Sequence, residues 1–285
     1  MSDSIYNKKQ FSPEEISAFS STMKIGLIAT VNDQGLPHLT LISSIMASDE
    51  KTLVWGQFTE GLSKSFIRNN PKSGFLIMGM DKHLWRGSAS FTHNATSGRE
   101  YDIYNNQPMF RYNAYFGVHT VYYMDLIAHT GEQVLPMNKI IFAAVQTLFA
   151  RSMGKHMGEQ NILNSWTQGF INQLDGLKFL SYIRDDGYPI IIPVIQAQCL
   201  DPETLIFSTS VYRSELEAIP VGKTVALFGM SLSMEDVLMR GIYQGNRRIA
   251  GSKCGVVGIN WVYNAMPPVP QQIYPPIGIE TVTDF

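Results

Sequence analysis

The sequence predicts a mainly β protein with flanking helices, in which one β unit occurs twice. Three observations carry this. Residues 27–37 (LIATVNDQGLP) and 179–189 (FLSYIRDDGYP) both run an apolar strand into an acidic-x-Gly turn followed by Pro. The segments Thr52–Trp55 (TLVW) and Thr204–Phe207 (TLIF) each lie 17 residues beyond the turn glycine, Gly35 or Gly187. Further on, Leu84–Gly87 (LWRG) answers Leu238–Gly241 (LMRG). Landmarks in one order at a shared spacing mark a duplicated unit.

The elements follow in chain order. Ser12-Pro13-Glu14-Glu15 is a capping box with Pro at the first helical position, which predicts a helix to about Thr22. Asp33-Gln34-Gly35 and Asp185-Asp186-Gly187 are hairpin turns, since glycine accepts positive φ. In the first copy strands are predicted over Leu39–Ile45, Leu53–Gln57, Gly74–Met78 and Leu84–Phe91. In the second they fall over Ile190–Ala197, Leu205–Ser208, Val225–Met230 and Val237–Gln244. Short strands joined by turns suggest a barrel or a sandwich. Between the copies, Asn138–Arg151 reads as a helix with an apolar stripe at Ile141, Ala144, Val145, Leu148 and Phe149. A counterpart of the first helix is predicted over about Leu163–Leu174. The Pro-rich tail, Pro267–Pro270 and Pro275-Pro276, reads as an extended segment packed across a surface. The domains expected are 1–155 and 156–285.

Composition narrows the function. The 285 residues, 32.0 kDa, fit two domains. Hydrophobic residues at 45% against 16% charged exclude a disordered chain. A net charge of −2 gives no basic field, so no nucleic-acid partner is expected. Two cysteines, Cys199 and Cys254, exclude a disulfide framework and a zinc ribbon and suit a reducing cytoplasm. Apolar runs are too short to span a bilayer, and Met1–Gln10 lacks the apolar core of a secretion signal. Nucleophile-elbow, P-loop, zincin and dinucleotide-binding motifs are absent. The six histidines show no metal-like spacing.

The copies differ after Trp55. The first continues GQFTEGLSKSFIRNNP (Gly56–Pro71), a strand end, a Gly-containing loop and a short helix. Thr59, Ser63, Ser65 and Lys64 stand near that helix start, where free N–H groups and the helix dipole attract a phosphate. The second copy has Glu215 and Glu217 there, which repel an anion. A capped helix with a solvated lysine is an equally weighted reading of the same residues.

This order of elements resembles the FMN-binding split-barrel family, related to pyridoxamine 5'-phosphate oxidase: a strand, D-x-G-x-P, two strands, Thr…Ser-Lys on a helix ending Asn-Pro, then a strand ending in Gly. The resemblance covers about Met23–Ala128, and more weakly Gly176–Gly245 as a degenerate second barrel. It implies two tandem split β-barrels, with FMN held against the first. It implies that Thr40, Leu41, Ile42 and Ser43 lie along the isoalloxazine and that Gly56 and Gln57 continue the contact. Ser63 and Lys64 would hold the phosphate, with Thr59 as a helper. Two features depart from the family pattern. Thr40 and Ile45 stand where members carry basic ring-side residues, and the lysine sits one residue nearer the closing proline.

On that resemblance the chain is an FMN-dependent oxidoreductase of a small molecule, passing hydride or electrons through the flavin. The alternative is a non-enzymatic flavin or haem carrier, with His119 as an iron ligand. The partners expected are a small substrate or electron donor, with the barrels paired as a homodimer or within one chain. Trp85, replaced by Met239 in the second copy, is a further candidate for cofactor contact, and Arg99 one for a substrate anion. The aromatic segment Arg111–Asp125 favours core packing two to one over a ligand face. Arg86 and Arg240, recurring in both copies, are read as structural, pairing with a carboxylate.

Overall fold

A computed structural model describes residues 5–57, 61–106, 117–231, 235–264 and 271–275. Ser12 caps α1 (Pro13–Phe19): its hydroxyl accepts from the Glu15 N–H at 3.2 Å, and the Glu15 carboxylate accepts from the Ser12 N–H at 2.9 Å. The helix stops at Phe19, three residues before the expected Thr22, because the Ser20 N–H turns back onto Ser17 and Ala18. Then come β1 (Lys24–Val31), β2 (Pro37–Leu41), β3 (Met46–Ala47), β4 (Thr52–Gln57), α2 (Leu62–Asn69), β5 (Lys72–Gly79) and β6 (His83–Ala95). After these lie α3 (Arg99–Asn106), β7 (Thr120–His129) and β8 (Gln133–Val134).

The second series begins with α4 (Met137–Met153) and α5 (Ser165–Ile171). It continues with β9 (Leu177–Ile183), β10 (Pro189–Pro193), β11 (Gln198–Cys199), β12 (Thr204–Ser208) and α6 (Arg213–Glu217). It ends with β13 (Thr224–Met230), β14 (Asp236–Ile249), β15 (Ser252–Asn264) and β16 (Gln271–Tyr274). Each series forms one antiparallel sheet, in the orders β2-β1-β5-β6-β7-β4-β3 and β10-β9-β13-β14-β15-β12-β11. The strand order is the same in both, and the fold is mainly β, two tandem split barrels.

Two compact units divide the chain: Met1–Pro136 with Ser181–Ile191, and Met137–Leu180 with Ile192–Phe285. Helix α4, placed by the sequence reading in a first domain ending at 155, is grouped here with the second unit. No described helix is long and apolar enough to cross a membrane. The tail positions Pro267–Pro270 and Pro276 lie outside the described residues.

Several expectations need correction. The strand predicted over Leu39–Ile45 ends at Leu41, because the Ile45 N–H closes a turn on the Ile42 carbonyl at 3.1 Å. Its counterpart stops at Pro193, with the Ala197 N–H closing on Val194 at 2.8 Å. The region after Phe91 is an extension of β6 to Ala95, followed by α3. Arg86 is fully buried, but its Nε and Nη2 donate to Gln133 Oε1 (3.2 and 3.1 Å) and its Nη1 to the Ile191 carbonyl (3.1 Å). The Gln133 amide and the Ile191 carbonyl both hold it. Arg240 packs its guanidinium 3.7 Å over the Trp261 ring, with Nε and Nη1 unbonded.

The glycine that ends each L-x-R-G motif is sterically required. A β-carbon on Gly87 would lie 2.5 Å from the Ala128 carbonyl and the Phe75 ring, and one on Gly241 2.2 Å from the Gly258 carbonyl. Gly87→Ala and Gly241→Ala are each expected to cost roughly 1–3 kcal/mol in urea unfolding, the range for forcing atoms into packed interiors.

In the first unit the core gathers Phe19, Ile28, Trp55, Phe75, Trp85, Tyr104 and Tyr122. The second unit also buries an ammonium. Lys178 is 1% exposed and donates to the carbonyls of Gln173 (2.5 Å) and Ile195 (3.2 Å). Burial pushes its pKa down to about 8 from 10.5. Between those values the unfolded chain binds the proton that the folded chain has lost. Stability therefore rises from about pH 8 to 10.5, by about 3 kcal/mol at most. Lys24, in the first unit, is also lowered to about 8 by burial, so the two transitions must be followed separately. Lys178→Met should flatten the rise in the second unit's transition, and an undiminished rise would reject this assignment.

Candidate functional site

The candidate site lies where β2, β4, β7 and α2 meet in the first unit. Thr40, near the end of β2, places its hydroxyl in hydrogen-bond contact with that of Ser63, in the first turn of α2. From Thr40 to Ser43 four consecutive residues are half-buried, a neutral ledge beside the buried Pro37–Leu39. The ledge is held close to β1 because the Ile42 N–H bonds the Gly26 carbonyl at 2.7 Å. Ser44, the next residue, is buried and fixes the Gly56 backbone from both sides, donating to its carbonyl (3.0 Å) and accepting from its N–H (3.1 Å).

Helix α2 begins after Gly61, whose backbone is extended and which offers no side chain to cap the first N–H groups. Ser63 and Lys64 are both buried, at 3% and 7% exposure. The Lys64 ammonium sits over the cap: a β-carbon on Gly61 would be 3.8 Å from Nζ. A cation beside the positive end of a helix favours an anion at that place. Hydroxyls from Thr40 and Ser63, an ammonium and uncapped amides form a donor set suited to a phosphate.

Gln57, at the end of β4, is buried. Arg68, from α2, donates to the Tyr122 hydroxyl at 2.7 Å, and that hydroxyl donates to Gln57 Oε1 at 2.9 Å. The Tyr122 ring stacks on Trp55 at 4.1 Å, and the Gln57 carbonyl accepts from the His119 N–H at 3.0 Å. His119 is exposed, with Nδ1 against the Thr120 hydroxyl at 2.7 Å.

Of the predicted residues, Thr40, Ser63 and Lys64 are brought together, with Leu41, Ile42 and Ser43 continuing the ledge. Gly56 and Gln57 end the adjoining β4. Thr59 and Arg111–Phe116 lie outside the described residues. Trp85 is placed elsewhere, in the core: its indole N–H donates to Glu15 at 3.2 Å and its ring meets Phe19 edge-on at 5.1 Å. Arg99 opens α3. Sequence reasoning missed Arg68 and Tyr122. Arg68 stands four residues after Lys64 on α2, the one signal available, whereas Tyr122 reaches Trp55 only through the cross-strand register of β4 and β7.

The second unit closes the corresponding place. At the same spacing Thr40 answers to Ile192, Ser63 to Glu215 and Lys64 to Leu216, and both Ile192 and Leu216 are fully buried. The end of β12 is covered by α4: Gln146 Oε1 accepts from the Ser208 and Ser210 hydroxyls (2.7 and 3.1 Å), and Thr147 Oγ1 accepts from the Ser208 N–H (3.0 Å). No group of three or more potential metal ligands occurs among the described residues.

No protein-family model matches the chain, and no curated protein matches it. Solved structures do. One is HupZ of Group A Streptococcus, 17% identical, matched over 42% of this chain and 91% of that one, with a TM-score of 0.35. Another is an FMN-binding protein from Syntrophomonas wolfei, 12% identical over 42% of this chain and 84% of that one, TM-score 0.36. A third is a putative pyridoxamine 5'-phosphate oxidase from Lactobacillus delbrueckii, 15% identical over 43% and 95%, TM-score 0.34. At the level of fold, the chain is similar to small flavin-binding and pyridoxamine 5'-phosphate oxidase-like split barrels.

Proposed function

We propose that the first unit binds FMN and that the protein is an FMN-dependent oxidoreductase of a small molecule. One observation carries the reading. Ser63 and Lys64 are buried at the uncapped start of α2, with the Thr40 hydroxyl joined to that of Ser63, and the duplicate positions carry Glu215 and Leu216. In this reading Ser63, Thr40 and Lys64 hold the phosphate. The half-buried ledge Thr40–Ser43 lies along the ring, and Gln57, oriented by Tyr122 and Arg68, stands at the ring's polar edge. Bound flavin supplies the electron chemistry, while the protein supplies position and charge.

A titration of the apoprotein with FMN, read by flavin fluorescence, tests the proposal. Saturable quenching is expected, with riboflavin binding more weakly for want of a phosphate. A protein that leaves FMN fluorescence unchanged at tens of micromolar would overturn the reading. A Soret band in the purified protein that is lost in His119→Ala would support the haem carrier instead.

A further inference from the structure

We propose that the outer face of α4 is the contact between two copies of this chain, packed helix against helix across a twofold axis. The stripe that the sequence reading marked as apolar does not face the sheet. The buried side of α4 is Ile140, Ala143, Thr147 and Ala150, three of them small. The large residues point outward: Ile141 is 58% exposed, Phe142 61%, Val145 59%, Phe149 53% and Met153 65%. A surface helix normally buries its large apolar residues and shows its polar ones, and this helix does the reverse. A contiguous apolar patch of this kind marks an interaction site.

The pattern on the face selects the occupant. Ile141, Val145, Phe149 and Met153 fall at intervals of four and form one ridge. Val145 is the midpoint of Met137–Met153, so a twofold axis through it sets Ile141 opposite Phe149 of the partner subunit, and Phe149 opposite Ile141 of the partner subunit. Ridges of this spacing interdigitate with a second copy of themselves at an angle near −50°. The ridge carries no charge. The lysine and arginine of the helix, Lys139 and Arg151, stand near its two ends. At 1.5 Å per residue the helix is about 25 Å long. Five large side chains, each exposing somewhat over half of a surface of about 200 Å², supply about 500 Å² per copy. The pair then buries about 1,000 Å², the size at which a specific interface begins.

Sedimentation velocity of the full chain from 1 to 100 µM tests the proposal, with Val145→Glu and Val145→Cys as variants. A concentration-dependent dimer is expected, weakened at least ~30-fold by Val145→Glu, since a central residue carries a disproportionate share of binding. Circular dichroism and the melting temperature report whether that variant remains folded. Val145→Cys should yield a disulfide-linked dimer on mild oxidation, because Cys199 and Cys254 are buried and the new thiol meets its own copy on the axis. A chain that stays monomeric at 100 µM overturns the proposal, whether or not the monomer floats with phosphatidylcholine vesicles. So does a dimer that Val145→Glu leaves intact, or a Val145→Cys thiol that oxidises without cross-linking.

Discussion

Lys64→Glu is expected to weaken FMN binding by ~30-fold to several thousandfold while leaving riboflavin binding within a few-fold of the parent. The physical reason is the place of the side chain. The ammonium is buried at the first turn of α2, where an uncapped helix end already presents positive charge. Removing a buried charge partner costs about 2–5 kcal/mol, and each 1.4 kcal/mol is tenfold in affinity. A carboxylate there opposes the phosphate outright. Riboflavin lacks the phosphate, so the comparison separates a lost anion contact from a damaged ledge. Equal losses for FMN and riboflavin would show that Lys64 serves the fold rather than the ligand.

The two repeated arginines should respond in opposite ways when replaced by methionine. Arg86→Met is expected to cost about 2–5 kcal/mol of first-unit stability. It strands the Ile191 carbonyl inside the protein and leaves the half-buried Gln133 amide without this donor, at up to about 1–3 kcal/mol for each unpaired group. Arg240→Met should be neutral or stabilising. Its Nε and Nη1 are already buried without acceptors, and burial drags its pKa down to about 10. Those two orphan donors outweigh the stacking on Trp261, worth up to about 2 kcal/mol. Urea unfolding followed by circular dichroism, fitted with a transition for each unit, measures both. Similar losses in the two variants would reject this asymmetry.

Much of the fold was legible because its landmarks are local. The two Asp-x-Gly turns, the Ser12 capping box and the β-branched runs announce themselves within a few residues. The duplication was legible through spacing, since Gly35 to Thr52 and Gly187 to Thr204 preserve one length. What pairing decides was not legible. That Trp55 meets Tyr122, that Trp85 reaches back to Glu15, and that Arg86 finds an amide in β8 follow from register and long-range packing. The stripe on α4 was visible as a pattern, but a period of 3.6 does not say which side faces the sheet. At the site, Thr40, Ser63 and Lys64 could be picked out because hydroxyls and a cation cluster near a glycine-preceded helix. Arg68 and Tyr122 carry no such mark.

The coverage of β12 by Gln146 and Thr147 has a consequence for how many ligands one polypeptide takes. The hydroxyls of Ser208 and Ser210 are satisfied from inside the chain, and the Ser208 amide is spoken for. A duplicated gene product would ordinarily offer two equivalents of binding capacity. Here a built-in stopper leaves one, so a saturating titration should end at a stoichiometry of one per polypeptide. Under the proposed reading, the sealed half is thereby free to drift in sequence without touching the half that binds.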